Sequence, residues 1–139
     1  MFKRILVPTD LAEATRHSLE IAIHIASQSG GKIYLLHVIE TLADTEFKEL
    51  EDFYLRLENR AYREMDRLIA AFPEATVEIQ QKVAYGARSA EVVRFASGHA
   101  MDLIILNSHR IDPEDPARGW GTISHKVGIL AECPVMLVK

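Results

Sequence analysis

Apolar and polar positions along this chain follow two rhythms. Short continuous apolar runs alternate with longer stretches of helical period. Residues 4–8 (Arg-Ile-Leu-Val-Pro) are such a run, as expected of a strand covered on both faces, and Thr9-Asp10 follow as a turn. From residue 14 to 27, Leu19, Ile21, Ala22, Ile23, Ile25 and Ala26 fall at helical spacing, and Ser29-Gly30-Gly31 stop that helix. Residues 32–38 form a second buried strand. Residues 45–72 predict a long charged helix whose apolar stripe is Phe47, Leu50, Phe53, Tyr54, Leu57, Ala61, Met65, Leu68 and Ile69. Pro73 ends it.

Residues 76–84 alternate, which predicts a third strand partly exposed at a sheet edge and closed by Gly86. A third helix spans 89–99, with Ser89 as its N-cap and Val92, Val93 and Ala96 on its core face. Residues 102–106 predict a fourth strand, and 107–120 a loop holding Pro113, Pro116 and Gly119. A short helix over 121–131 and a fifth strand over 134–138 complete the chain.

Strict alternation of five strands with four helices implies an α/β protein: one domain over 1–139, an open five-stranded parallel sheet, Rossmann-like, with helices on both faces. The expected strand order is 3-2-1-4-5. The switch point then falls between the first and fourth strands, where open α/β sheets bind ligands. The segments just past those strands, Pro8-Thr9-Asp10 and Asn107-Ser108-His109-Arg110, are polar. The helix start at Gly121-Thr122 offers backbone N–H groups and a hydroxyl, which suits an anion such as phosphate.

Charge and composition narrow the partners. The formal net charge is −4, and the 16 basic residues are scattered, which argues against nucleic acid and against an anionic membrane surface. The apolar run at the start stops at Pro8, too short for a signal segment, and nothing approaches membrane-spanning length. The expected location is cytoplasmic. Cys133 is the single cysteine; it excludes an internal disulfide and has no activating base in its neighbourhood of the sequence. His17, His24, His99 and His125 lack metal-ligand spacing, so no metal site is expected, and His37 reads as a satisfied core residue. Phosphate-loop, dinucleotide and nucleophile-elbow motifs are absent. The third strand ends Val83-Ala84-Tyr85-Gly86, without an acidic phospho-acceptor. No residue is assigned a catalytic role.

Taken together, six segments resemble the universal stress protein family over essentially the whole chain. They are Ile-Leu-Val-Pro-Thr-Asp, Leu-Leu-His-Val, Gly86 after the third strand, Asp-Leu-Ile-Ile-Leu-Asn-Ser-His, Gly-Thr-Ile-Ser-His-Lys-Val and the closing Cys-Pro-Val-Met-Leu-Val. Nucleotide-binding members carry G-x2-G-x9-G-[S/T]. Asn107 and Arg110 stand at its first two glycines, ten residues separate Arg110 from Gly121, and Gly121-Thr122 matches its end. Asn107 tolerates a left-handed turn in place of the first glycine. Arg110 either clamps a phosphate with its guanidinium or fills the phosphate space.

The resemblance implies an adenine nucleotide, ATP or AMP, as a regulatory ligand in a stress response. Pro8, Thr9 and Asp10 would border the adenosine, Val38 would offer backbone groups to the adenine edge, and Leu106 would pack near it. Gly121, Thr122, Ile123 and Ser124 would face the phosphates. Asp10 and Thr122 are equally readable as turn and helix-start residues. The replaced glycines also fit a nucleotide-independent interaction module. A slow ATP hydrolase, with His109 or Asp10 orienting water, is a third reading, one without a metal-binding carboxylate pair. An apolar edge strand is a pairing template, and the resemblance implies a homodimer through Val135–Val138. The protein partner is unidentified.

Overall fold

The computed structural model describes residues 1–41, 47–108, 114 and 122–139. Strands β1 (Arg4–Pro8), β2 (Lys32–Ile39), β3 (Ile79–Tyr85), β4 (Leu103–Asn107) and β5 (Val135–Val138) form one sheet, all neighbours parallel, in the order β3-β2-β1-β4-β5. Helices α1 (Thr15–Ser29), α2 (Glu51–Ala70), α3 (Arg88–Gly98) and α4 (Ile123–Leu130) connect them.

Alternating side chains send the strands into two cores. Ile5, Val7, Ile33, Leu35 and Ile105 pack with Leu19, Ala22 and Ala26 of α1 and with Ala61, Met65 and Leu68 of α2. Leu6, Tyr34, Leu36, Val38, Ile104 and Leu106 face the other way, against Val92 and Ala96 of α3 and Val127 of α4. Residues i and i+2 of a strand share a face, so continuous apolar runs are what a sheet covered on both sides requires. No helix among the described residues is long and apolar enough to cross a membrane.

Several boundaries differ from the pattern-based expectation. The first helix runs to Ser29 and ends on Gly30 in the left-handed conformation, φ 73°. A Cβ on the next residue, Gly31, would lie 2.5 Å from the Phe2 carbonyl oxygen, so close approach excludes a side chain there. The long helix is a 3-10 turn, Phe47–Leu50, followed by α2; residues 42–46 lie outside the described residues. Its buried stripe is Tyr54, Ala61, Met65 and Leu68. Phe53 is 43% exposed rather than part of the core, because it sits about 100° around the axis from Tyr54.

Strand β3 starts at Ile79, not 76, and pairs on one side only, as an edge strand should. Ser89 is not the N-cap of α3. The chain leaves Gly86, φ 141°, is extended at Ala87, and is already helical at Arg88, which puts Ser89 inside the first turn. Helix α4 likewise opens at Ile123, with Thr122 as its N-cap.

Candidate functional site

The site begins with the hydrogen-bond directions of β1. Thr9 N–H donates to Leu36 O, and Lys3 O accepts from Lys32 N–H. Odd-numbered residues of β1 therefore face β2, and even-numbered ones face β4. Pro8 would direct its N–H at β4, and proline has none. The ladder shows the consequence. β1 pairs with β2 through all five residues to Pro8↔Leu36, whereas its pairing with β4 is confined to Ile5↔Leu103 and Leu6↔Ile104. On its other side β4 stays paired with β5 to Asn107↔Val138. The ladder between the two central strands thus ends short of their carboxyl ends, at the switch point, where open α/β sheets have their binding crevice.

The front wall is a tightly bonded turn. Thr9 Oγ1 shares a 2.7 Å hydrogen bond with Thr15 Oγ1 and accepts from Leu11 N–H at 2.9 Å. Asp10 Oδ1 accepts from Ala12 N–H at 2.9 Å, and Asp10 is exposed. These bonds hold Leu11 at φ 71°, a conformation that costs a non-glycine residue about 1–2 kcal/mol. His37 is half-buried rather than a core residue. Its Nδ1 lies 2.9 Å from Thr9 O. A carbonyl only accepts, so Nδ1 carries the proton and ties β2 to the turn.

The rear wall is a hydroxyl cluster at the start of α4. Ser124 Oγ lies 3.1 Å from Thr122 Oγ1 and 3.3 Å from Ser108 Oγ, and Thr122 Oγ1 accepts from His125 N–H at 3.4 Å. Lys139 Nζ donates to Ser108 Oγ at 3.3 Å. A helix amino end, three hydroxyls and an ammonium together present donors to an anion. Buried Leu106 of β4 and Val38 of β2 belong to the same core face of the sheet. Leu36 O faces β1, so Val38, two residues on, directs its N–H and C=O the same way, past the end of β1.

Of the sequence-derived residues, Pro8, Thr9, Asp10, Val38, Leu106, Thr122, Ile123 and Ser124 stand at or beside the carboxyl edge. Asn107 stands there too, but not in the left-handed turn expected of it. Pairing with Val138 keeps it extended as the last residue of β4, and its Oδ1 is buried without a hydrogen-bond partner among the described residues. Arg110, His109 and Gly121 lie outside the described residues. Ser108 and Lys139 were not singled out by sequence. They are 31 positions apart, and only the β4–β5 pairing joins them.

Among the described residues no group of three or more His, Cys, Asp or Glu gathers. Burial pushes the Cys133 thiol above its ordinary pKa, with the charge of Asp102 adding to the effect, so the reactive thiolate is disfavoured. Two surface cavities lie away from the crevice. One, of about 670 Å³, sits at the amino edge of the sheet beside Lys3, Arg4 and Lys32. Its cations are engaged: Lys3 Nζ donates to Ser29 O, Arg4 Nε donates to His99 O, and Lys32 stacks over Tyr34. The other lies between α1 and the turn after α2.

The profile of the universal stress protein family matches residues 1–139. Universal stress protein YxiE of Bacillus subtilis is 25% identical over 149 aligned residues that cover all of both chains. Two solved structures share the fold. A universal stress protein in complex with cAMP has a TM-score of 0.73 at 19% identity, covering 99% of this chain and 97% of its own. The universal stress protein from Archaeoglobus fulgidus in complex with dAMP has a TM-score of 0.71 at 17% identity, covering all of both chains.

Proposed function

The chain belongs to the universal stress protein family, and from that premise we propose that it binds an adenine nucleotide, ATP or AMP, as a regulatory ligand in a cytoplasmic stress response. The ligand would lie in the crevice between β1 and β4. One observation carries the reading: the switch point, where the β1–β4 ladder ends, is flanked by a bonded carboxyl-bearing turn and by a hydroxyl-and-ammonium cluster. Base and ribose suit the turn side. Val38 N–H and C=O would meet the adenine edge, Asp10 would accept from ribose or base, and Pro8, Thr9 and Leu106 would border the adenosine. Phosphates suit the α4 end, where Thr122, Ser124 and Ser108 would donate, Lys139 would add a charge, and Gly121 and Ile123 would add backbone N–H groups. Relatives of this fold solved with cAMP and dAMP support the ligand class.

Asn107 supports a second reading. Extended in β4, it does not supply the turn that the first glycine of the nucleotide motif makes. With Arg110 at the second glycine, the chain would act as a nucleotide-independent dimeric interaction module. The small molecules extracted from protein purified without added ligand separate the two. Adenine nucleotide recovered in a stoichiometric amount supports the first reading. Its absence, together with a crevice that takes up none on soaking, supports the second.

In either reading the partner surface on the fold itself is β5. Among the described residues it pairs with β4 alone, and Met136 and Leu137 are 37% and 40% exposed on this edge. Ile129 and Leu130, at the end of α4, are more exposed still, at 67% and 58%. A homodimer formed by antiparallel pairing of Val135–Val138 across a two-fold axis would satisfy the strand edge and cover this apolar surface.

A further inference from the structure

Helix α2 carries a feature that neither the crevice nor the β5 edge uses. Arg56, Arg60, Arg63 and Arg67 are all exposed, and they follow one another at intervals of four, three and four residues. At 3.6 residues per turn they fall within about 60° of arc and extend about 16 Å along the axis. Arg67 is paired with Glu13 and Glu64. Arg56, Arg60 and Arg63 make no ion pair among the described residues. Like charges three and four apart destabilise a helix, and an exposed helix ordinarily relieves this with carboxylates at the same spacing. Asp52, Glu64 and Asp66 stand at that spacing from Arg56, Arg60 and Arg63, but among the described residues none is bridged to them: Glu64 bonds Arg67, and Asp66 accepts from Gln81.

We propose that this arginine row is a docking surface for an acidic polypeptide segment of a partner protein. The width of the row selects the occupant. It is one side chain across, with Asp52 and Asp66 along one flank and Glu64 along the other. A bilayer or a nucleic-acid duplex is broad enough to meet those carboxylates as well, and the net charge of −4 opposes both. A single acidic helix or strand of polypeptide can follow the row alone. Phe53, 43% exposed next to the row, supplies an apolar contact at its amino end. The position also leaves the row accessible. α2 covers β2 and β3, the end of the sheet away from β5, so a dimer through β5 points both rows outward. The two bonds from α2 to β3 fix its direction. Glu58 meets the last residue of β3 and Asp66 meets Gln81 further back, so residues 51–57 extend past the carboxyl edge of the sheet. A segment on the row would therefore end at the carboxyl edge of the sheet, the edge that carries the crevice.

Fluorescence anisotropy of the intact protein tests this. The probe is a labelled helical peptide with glutamate at every third and fourth position along one face; the control is its glutamine copy. The row predicts saturable binding of the acidic probe at low ionic strength and none of the control. The double variant Arg60→Ala/Arg63→Ala is expected to weaken binding about tenfold, and Arg60→Lys/Arg63→Lys to retain most of it. A charge-matched variant away from the row, Arg88→Ala/Arg94→Ala, is expected to bind as the parent does. These residues are bridged to Glu40 and Glu91. The proposal is overturned if the two alanine pairs weaken binding equally, or if neither does. It is also overturned if duplex DNA or phosphatidylserine vesicles bind the row more tightly than the peptide.

Discussion

Replacing Pro8 with alanine would restore an N–H aimed at β4, at the place where the ladder between the two central strands ends. The expected result is a longer β1–β4 ladder, read as a protected new amide at position 8 and slowed hydrogen exchange at its β4 neighbours, with weaker nucleotide binding because the crevice narrows. Unchanged exchange across β4 would show that Pro8 does not set the opening. The residue itself was legible in the sequence as a neighbour of the crevice. Its part in opening the crevice was not, because that depends on which strand its missing donor would face. Asn107 was legible as a departure from the glycine pattern, but strand pairing with Val138 decided its conformation. Tyr85 illustrates a different limit. Burial, with its hydrogen bond to Glu58 contributing next, pushes its phenol up to about 12. The neutral form is favoured in the fold, so the unfolded chain loses this proton first as pH rises. The contribution to stability is therefore complete below about 10 and is lost between about 10 and 12. Ultraviolet titration should show one tyrosine ionising late, and Glu58→Gln should return it toward the ordinary range. A parent protein whose tyrosines all ionise near 10 would contradict this.

At the scale of elements, the alternation of strands and helices was legible because both faces of each central strand are covered, which leaves unbroken apolar runs. Ile5, Leu6 and Val7 are all fully buried, on opposite faces in turn. Helix ends were less legible. Ser89 has the chemistry of a cap, yet the conformations of Gly86 and Ala87 start the helix before it. The edge strands carry the consequences for assembly. Residues at the exposed edge of β5 should tolerate little charge if the strand pairs with its copy. Met136→Asp places two carboxylates at that junction, and the expected outcome is a monomer by light scattering with an unchanged circular dichroism spectrum. A dimer that persists in this variant would place the interface elsewhere. Core substitutions in the central strands act on the fold instead. Leu35→Ala empties a fully buried site and should cost about 2–5 kcal/mol in urea unfolding, whereas a loss below 1 would mean that the two-sided core is not what holds β2.

At the scale of the whole molecule, three surfaces occupy different parts of one sheet. The crevice lies at the carboxyl ends of β1 and β4, the edge proposed for pairing lies along β5, and the arginine row lies over the β3 side. Strand order separates the last two and leaves the crevice between them. In the proposed account, nucleotide in the crevice would bear on the turn bonded to His37 and on the start of α4. The crevice's location was legible from strand order alone. Its donor set was not, because Lys139 reaches Ser108 through tertiary pairing rather than through neighbourhood in the chain. The most direct test is calorimetric titration of ligand-free protein with ATP and with AMP, in parallel with Thr122→Ser, which keeps the α4 cap, and Thr122→Val, which removes the hydroxyl, with circular dichroism checking that α4 survives. The account predicts saturable heat for at least one nucleotide, with a Kd below about 1 mM and weakened about tenfold or more in the valine variant. No heat from either nucleotide at millimolar concentration, or heat that the valine variant leaves unchanged, would contradict it.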